Sequence, residues 1–302
     1  MISVVSPVYN AAKILPVLVH ELVKTFEELQ EDYEIVLVDD RSPDDSWQVM
    51  KNLQKKHNHL KVFRLSRNFG QHPTIMAGLS QVKGDWIVVM DCDMQDQPKE
   101  IKKLFQKAKE GFDVVLGRRV DRQDGFFKKL SSSIFSFFYT FFTGIKYDNQ
   151  IANFGIYNYK VIQSIVSIDD YISFFPLFVK FVGYKTISID IEHAERLEGN
   201  SSYNFYKLVS LAFNNIISYS NLPLKQFIKL GLFVSILSFF IGIYYFYLYM
   251  TGEIVVIGFT SLVLSIWFLS GLIITTIGIV GVYVGKIFDQ TKNRPKFIID
   301  ED

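Results

Sequence analysis

Ile87-Val88-Val89-Met90-Asp91-Cys92-Asp93 decides the reading of this chain: four apolar residues run directly into two carboxylates one residue apart. An unbroken apolar run of that length, mostly β-branched, fits a strand buried on both faces, as in a parallel sheet covered by helices. Working outward, Ile35-Val36-Leu37-Val38 repeats the pattern and runs into Asp39-Asp40. Strands are read at Ile2 to Ser6, Glu34 to Val38, Val62 to Leu65 and Trp86 to Met90, with longer amphipathic stretches between them. Residues 1 to 120 therefore predict βαβ units around a mostly parallel, Rossmann-like α/β sheet. In open α/β sheets ligands bind outside the carboxyl ends of the strands, where both acid pairs fall.

Carboxylates so placed suit hard divalent cations such as Mg2+ or Mn2+, the ions that accompany a nucleotide diphosphate. A lone D-x-D also occurs in solvated turns. Here Gln95 adds a further oxygen two residues on, and Asp39-Asp40 can accept hydrogen bonds from a base or ribose hydroxyl. Asp91, Asp93 and Gln95 are thus the candidate metal ligands, and Asp39, Asp40 and Asp91 belong to the candidate nucleotide pocket.

The last quarter of the 302 residues changes character. Leu230 to Met250 and Ile254 to Gly285 carry no charge, and each run is long enough to cross a hydrocarbon core of about 30 Å. Only Thr251, Gly252 and Glu253 separate them, which predicts a tight transmembrane hairpin over 226–288, with spans near 230–250 and 258–285. Lys225 and Lys229 flank one outer end; Lys286, Lys292, Arg294 and Lys296 flank the other. Short basic flanks stay in the cytoplasm, so residues 1–202 read as a cytoplasmic catalytic domain and 289–302 as a cytoplasmic tail. Met1 leads into apolar residues with no basic n-region or cleavage site, so no signal peptide is expected. A single cysteine, Cys92, suits a reducing compartment, and a net charge of +1 argues against nucleic acid as partner.

Two further segments bear on the membrane. Phe126 to Phe142 is crowded with aromatics behind Lys128 and Lys129, as a core helix or as a helix lying against membrane or lipid. Phe205, Leu208, Val209, Ala212, Phe213, Ile216 and Ile217 keep helical spacing, which reads as an amphipathic interface helix over 203–225. His57 and His59 have no acidic or cysteine partner at ligand spacing and read as a solvated loop. Neither a G-x-x-x-x-G-K-[ST] loop nor a serine-hydrolase elbow occurs.

The chain also carries Ser6-Pro7-Val8-Tyr9-Asn10, Val38-Asp39-Asp40-Arg41-Ser42, Leu65-Ser66-Arg67-Asn68-Phe69-Gly70, Gly117-Arg118-Arg119 and Arg196-Leu197-Glu198-Gly199-Asn200-Ser201-Ser202-Tyr203. Together with Met90 to Asp96, Gly281 to Lys286 and Asn293-Arg294-Pro295, these resemble the polyprenyl-phosphate glycosyltransferases of the GT-A fold, over nearly the whole chain. The resemblance implies inverting transfer of a hexose, with UDP-glucose the first donor to consider, to a polyprenyl phosphate such as undecaprenyl phosphate, in a homo-oligomer. It implies that Pro7, Tyr9, Asn10 and Asp39 form the base and ribose pocket and that Asp93 and Gln95 bind the metal on the diphosphate. It implies further that Arg119, Lys129 and Ser132 meet the acceptor phosphate and that Arg196 closes over the diphosphate. A phosphate nucleophile, with a second pKa of about 6, needs no strong general base at neutral pH.

Departures from the resemblance are specific. Ala11 and Ala12 stand where relatives usually have acids, Cys92 where alanine is usual, Gln97 for the first of two prolines, and Ser202 for a frequent lysine. Asn153 falls where some relatives place an aspartate credited with a catalytic part, and Asp96 could serve the acceptor or cap a turn. A processive polysaccharide synthase would add a Q-x-x-R-W element and more spans, neither of which is visible. A non-catalytic nucleotide-sugar-binding scaffold would not need Asp91, Asp93, Gln95 and Arg196 intact.

Overall fold

The computed structural model describes residues 1–119, 151–170, 173–192, 222–252 and 258–300. They divide into two compact units, one holding the N-terminal region together with residues 294–302, the other holding the apolar C-terminal helices.

In the first unit the described strands form one eight-stranded sheet, in the order β7-β5-β6-β4-β1-β2-β3-β8. The strands are β1 (Ile2–Val8), β2 (Tyr33–Asp39), β3 (Leu60–Leu65), β4 (Trp86–Val89), β5 (Val114–Arg119), β6 (Ile151–Asn158), β7 (Thr186–Ile191) and β8 (Ile299–Asp300). The four strands expected from sequence are all present, with ends shifted by one or two residues. β1 pairs in parallel with β2 and β4, β2 with β3, and β5 with β7; β6 runs against β4 and β5, and β8 against β3.

Strand alternation distributes the apolar side chains to two faces. Ile2, Val4, Val8, Ile35, Leu37, Val88 and Met90 join a core with α1 (Leu15–Leu29) and α4 (Ile101–Lys109). From α1 come Leu15, Leu18, Val19, Leu22 and Phe26, one helical stripe, each contributing about 1.5–3 kcal/mol by leaving water. Alternate residues Val5 and Val38 face α3 (Gln71–Leu79). That approach is close enough that a Cβ on Gly78 would stand 2.4 Å from Val5 Cγ1, so only glycine fits there. The remaining described helices of this unit are α2 (Ser46–Gln54), α5 (Tyr159–Val166) and α6 (Phe175–Phe181), with a 3-10 turn at Pro98–Glu100. This is the expected α/β sheet.

Residues 294–300 do not trail away from the sheet. The β8 strand pairs Asp300 with Arg64 and Ile299 with Leu65, and the Ser66 amide donates to the Ile298 carbonyl at 2.9 Å.

In the second unit, α7 (Leu222–Met250) and α8 (Phe259–Thr291) are the described helices long and apolar enough to cross a membrane. Phe233, Phe239, Phe240, Trp267 and Phe268 stand exposed on them, an apolar surface of the kind that a lipid environment would cover. The helices outrun the charge-free runs: α7 starts before Lys225, and α8 continues past Lys286. The aromatic segment 126–142 and residues 203–221 of the expected interface helix lie outside the described residues.

Candidate active site

The tips of β1, β2 and β4 lie side by side, since these strands are parallel neighbours. The β1 strand ends in buried Pro7 and Val8, and the chain then exposes Tyr9 and Asn10. Asn10 takes a left-handed conformation at φ +54°, which asparagine tolerates better than most residues. Its amide donates to Ser42 Oγ at 3.0 Å, the Ala11 amide to Ser46 Oγ at 2.9 Å, and the Ala12 amide to Asp44 Oδ2 at 3.1 Å. The turn is thus held by side chains beyond β2. Burial would raise the Asp44 carboxyl, but hydrogen bonds from Ser46 and Ala12 outweigh it and hold the carboxyl below its ordinary value.

Asp39 and Asp40 are both buried at the β2 tip. Asp39 accepts the Ser42 amide and Arg64 Nε, each at 3.1 Å. Asp40 accepts the amides of Phe69 at 2.7 Å and Gly70 at 2.9 Å. Burial pushes the Asp40 carboxyl above the usual range, partly countered by those amides. Gly70 sits at φ +96°, a turn conformation that side chains resist, and leads straight into α3.

At the β4 tip the acids are less enclosed. Asp91 and Asp93 are half-buried. Gln71, the first residue of α3, donates Nε2 to Asp91 Oδ1 at 2.6 Å. Asp93 Oδ1 accepts the Gln95 amide at 3.2 Å, and Gln97 Nε2 donates to the Met94 carbonyl at 3.0 Å. Met94 adopts φ +60° with its side chain buried, so packing fixes the turn between Asp93 and Gln95. Half-buried Cys92 is pushed up to about 12, first by desolvation and then by Asp91 and Asp93; its thiol stays protonated, with the Tyr9 amide as a hydrogen-bond partner. That contact joins the β1 and β4 tips directly.

Among the described residues no three His, Cys, Asp or Glu side chains gather into a closed metal cluster. Asp91, Asp93 and the Gln95 amide oxygen offer a short set of hard donors instead. Such a set fits a cation that completes its shell with water and phosphate oxygens.

Arg119 ends β5, opposite Ile191 at the end of β7. Since β5 and β4 both run against β6, Arg119 leaves the sheet at the same edge as Asp91. Lys129, Ser132 and Arg196 lie outside the described residues. Asn153 is in β6, and Asp96 is buried just before the 3-10 turn. His59 packs its ring against Tyr33 at 4.8 Å. Two participants escaped the sequence reading: Gln71, whose only signal is its place directly after Arg67-Asn68-Phe69-Gly70, and Arg64, hidden inside an apolar strand.

Residues 3–166 match the family described as Glycosyl transferase family 2. The chain belongs to that family. Two undecaprenyl-phosphate 4-deoxy-4-formamido-L-arabinose transferases, from Photorhabdus laumondii and Proteus mirabilis, are each 32% identical to it over 99% of this chain and 93% of their own length. Within the family the chain therefore stands with the polyprenyl-phosphate glycosyltransferases that its motifs resemble. Among solved structures, mannosyl-3-phosphoglycerate synthase from Rubrobacter xylanophilus shares the fold, with a TM-score of 0.52 and 18% identity, over 72% of each chain. Glucosyl-3-phosphoglycerate synthase from Mycobacterium tuberculosis, in complex with Mn2+, UDP-glucose and phosphoglyceric acid, does so with a TM-score of 0.51 and 15% identity, over 72% of this chain and 78% of its own. Both share the GT-A architecture.

Proposed function

We propose that this chain transfers a sugar from a nucleotide diphosphate sugar to undecaprenyl phosphate or a similar polyprenyl phosphate, at the cytoplasmic face of a membrane crossed by α7 and α8. The observation that carries the reading is the shared edge at which the tips of β1, β2 and β4 bring Tyr9, Asn10, Asp39, Asp91 and Asp93 together. Full-length relatives that use undecaprenyl phosphate support the acceptor. UDP-glucose is the first donor to test, and the UDP derivative of the relatives' 4-deoxy-4-formamido-L-arabinose the second. Basic flanks around both apolar helices support a cytoplasmic catalytic domain.

In this reading Pro7, Tyr9, Asn10 and Asp39 receive base and ribose, while Asp91, Asp93 and Gln95 hold a divalent cation, Mg2+ or Mn2+. Bound there, the cation would neutralise charge growing on the departing diphosphate. Asp40 acts beneath the pocket, holding the Phe69–Gly70 turn through two amides. Arg119 and Lys129, with Ser132, orient the acceptor phosphate and offset repulsion between two anionic substrates. Arg196 closes over the diphosphate. One displacement by phosphate oxygen inverts the anomeric centre. A homo-oligomer is part of the proposal.

The test is transfer of labelled sugar into a butanol-extractable, mild-acid-labile product by purified protein with undecaprenyl phosphate. Product should form with one UDP-sugar of a panel, need added Mg2+ or Mn2+, and vanish with EDTA. No lipid product with any UDP- or GDP-sugar would reject the proposal.

A further inference from the structure

The C-terminal strand brings a carboxylate to the nucleotide end of the sheet. Asp300 Oδ2 accepts Arg41 Nη1 at 2.6 Å. Arg41 directly follows Asp39-Asp40 and is held at φ +56°, a left-handed conformation that side chains other than glycine's resist. On its other flank Asp300 lies opposite Arg64 across the β3–β8 pair, and Arg64 Nε donates to Asp39 at 3.1 Å. Alternating charges thus run Asp39, Arg64, Asp300, Arg41 around the turn that leaves β2. Lys296, bonded to the Ile168 carbonyl and 3.5 Å from Asp169, fastens the segment leading into β8.

We propose that Asp300 is a positioning residue for nucleotide binding: by holding Arg41 it fixes the Asp39–Ser42 turn, and so the aim of Asp39 and the Ser42 hydroxyl that carries Asn10. This rests on the assignment of the β1 and β2 tips to base and ribose in the preceding section. Arg41 is 43% exposed and Asp300 28%, so solvent screens their ion pair and it adds little to global stability. An effect concentrated in nucleotide affinity is therefore separable from unfolding.

The experiment uses the full chain in detergent or nanodiscs, titrated with UDP in Mn2+ and assayed with the accepted UDP-sugar. Asp300→Asn should raise the UDP Kd and the donor KM about three- to fivefold, leaving kcat within twofold and the melting midpoint unchanged. Asp300→Glu, which keeps the charge, should recover most of the affinity. Arg41→Gln, which leaves β8 untouched, should match Asp300→Asn, and the double variant should be no worse than either alone. An unchanged Kd in Asp300→Asn and Arg41→Gln overturns the inference while wild-type binding upholds the nucleotide site. A loss of melting temperature with no loss of affinity overturns it as well. Absence of UDP binding by the wild type would remove the nucleotide assignment and this inference with it.

Discussion

The two strand tips that flank β1 carry paired acids, and their surroundings treat them in opposite ways. At the β2 tip Asp39 and Asp40 are buried and committed inward: one accepts Ser42 and Arg64, the other the Phe69 and Gly70 amides. At the β4 tip Asp91 and Asp93 are half-buried, and they lie on a turn fixed by a buried methionine in a left-handed conformation. Burial with several donors is what a loop anchor needs. Partial exposure with a fixed backbone is what a cation ligand needs, since the ion must reach the oxygens with its remaining shell free for phosphate. The same written pattern, an apolar strand followed by two acids, thus gives an enclosed, fully hydrogen-bonded pair at one tip and a partly exposed pair at the other.

The largest expected effect breaks the comparison at β4. Asp93→Ala should lower turnover by about 10³-fold or more, as loss of a metal ligand at a developing charge does, with melting temperature and membrane insertion unchanged. Full activity in this variant would end the metal assignment. At β2 the outcome should invert. Asp40→Asn keeps one acceptor oxygen but turns an NH2 toward the second amide, leaving buried donors facing each other at a cost of about 2 kcal/mol in stability. Its pH dependence gives a second reading. Because the folded-state carboxyl is raised above its unfolded value, wild-type stability should fall as pH rises from the ordinary aspartate value of 3.8 to the raised one. Asp40→Asn should lack that component of the decline, which denaturant melts across the acid range would detect. A variant that keeps its stability but loses turnover would make Asp40 a ligand-binding group.

Much of this was legible in sequence because it is local. Apolar runs ending in acids located β2 and β4 to within a residue, and the charge-free runs located both apolar helices. What the sequence concealed was which donors arrive at each acid. The partners of Asp40 lie 29 and 30 residues downstream, and Arg64, the distant partner of Asp39, 25 residues downstream, brought there by the fold and recorded by no local period. The β8 strand, with Ile299 and Asp300, is too short to show alternation at all, and its partner is chosen by the open edge of β3. The β6 strand was missed for a related reason: its antiparallel place between β4 and β5 depends on a long connection, not on its own residues.

The smallest effect tests whether the two tips act as one site. Gln71 bridges them: its side chain donates to Asp91 at 2.6 Å, while the preceding residue, Gly70, gives its amide to Asp40 at 2.9 Å. Gln71→Ala removes one hydrogen bond to a carboxylate, so kcat/KM should drop about tenfold, or about 1.4 kcal/mol, with little change in stability. If the tips were independent, the effects of Gln71→Ala and Asp40→Asn on kcat/KM would add. Because Asp40 sets where α3 begins, we expect instead a coupling of about 0.5–1 kcal/mol in the double-mutant cycle. Strict additivity would mean that the β2 anchor does not reach the chemistry at β4, and the comparison would reduce to two unrelated uses of aspartate at one edge.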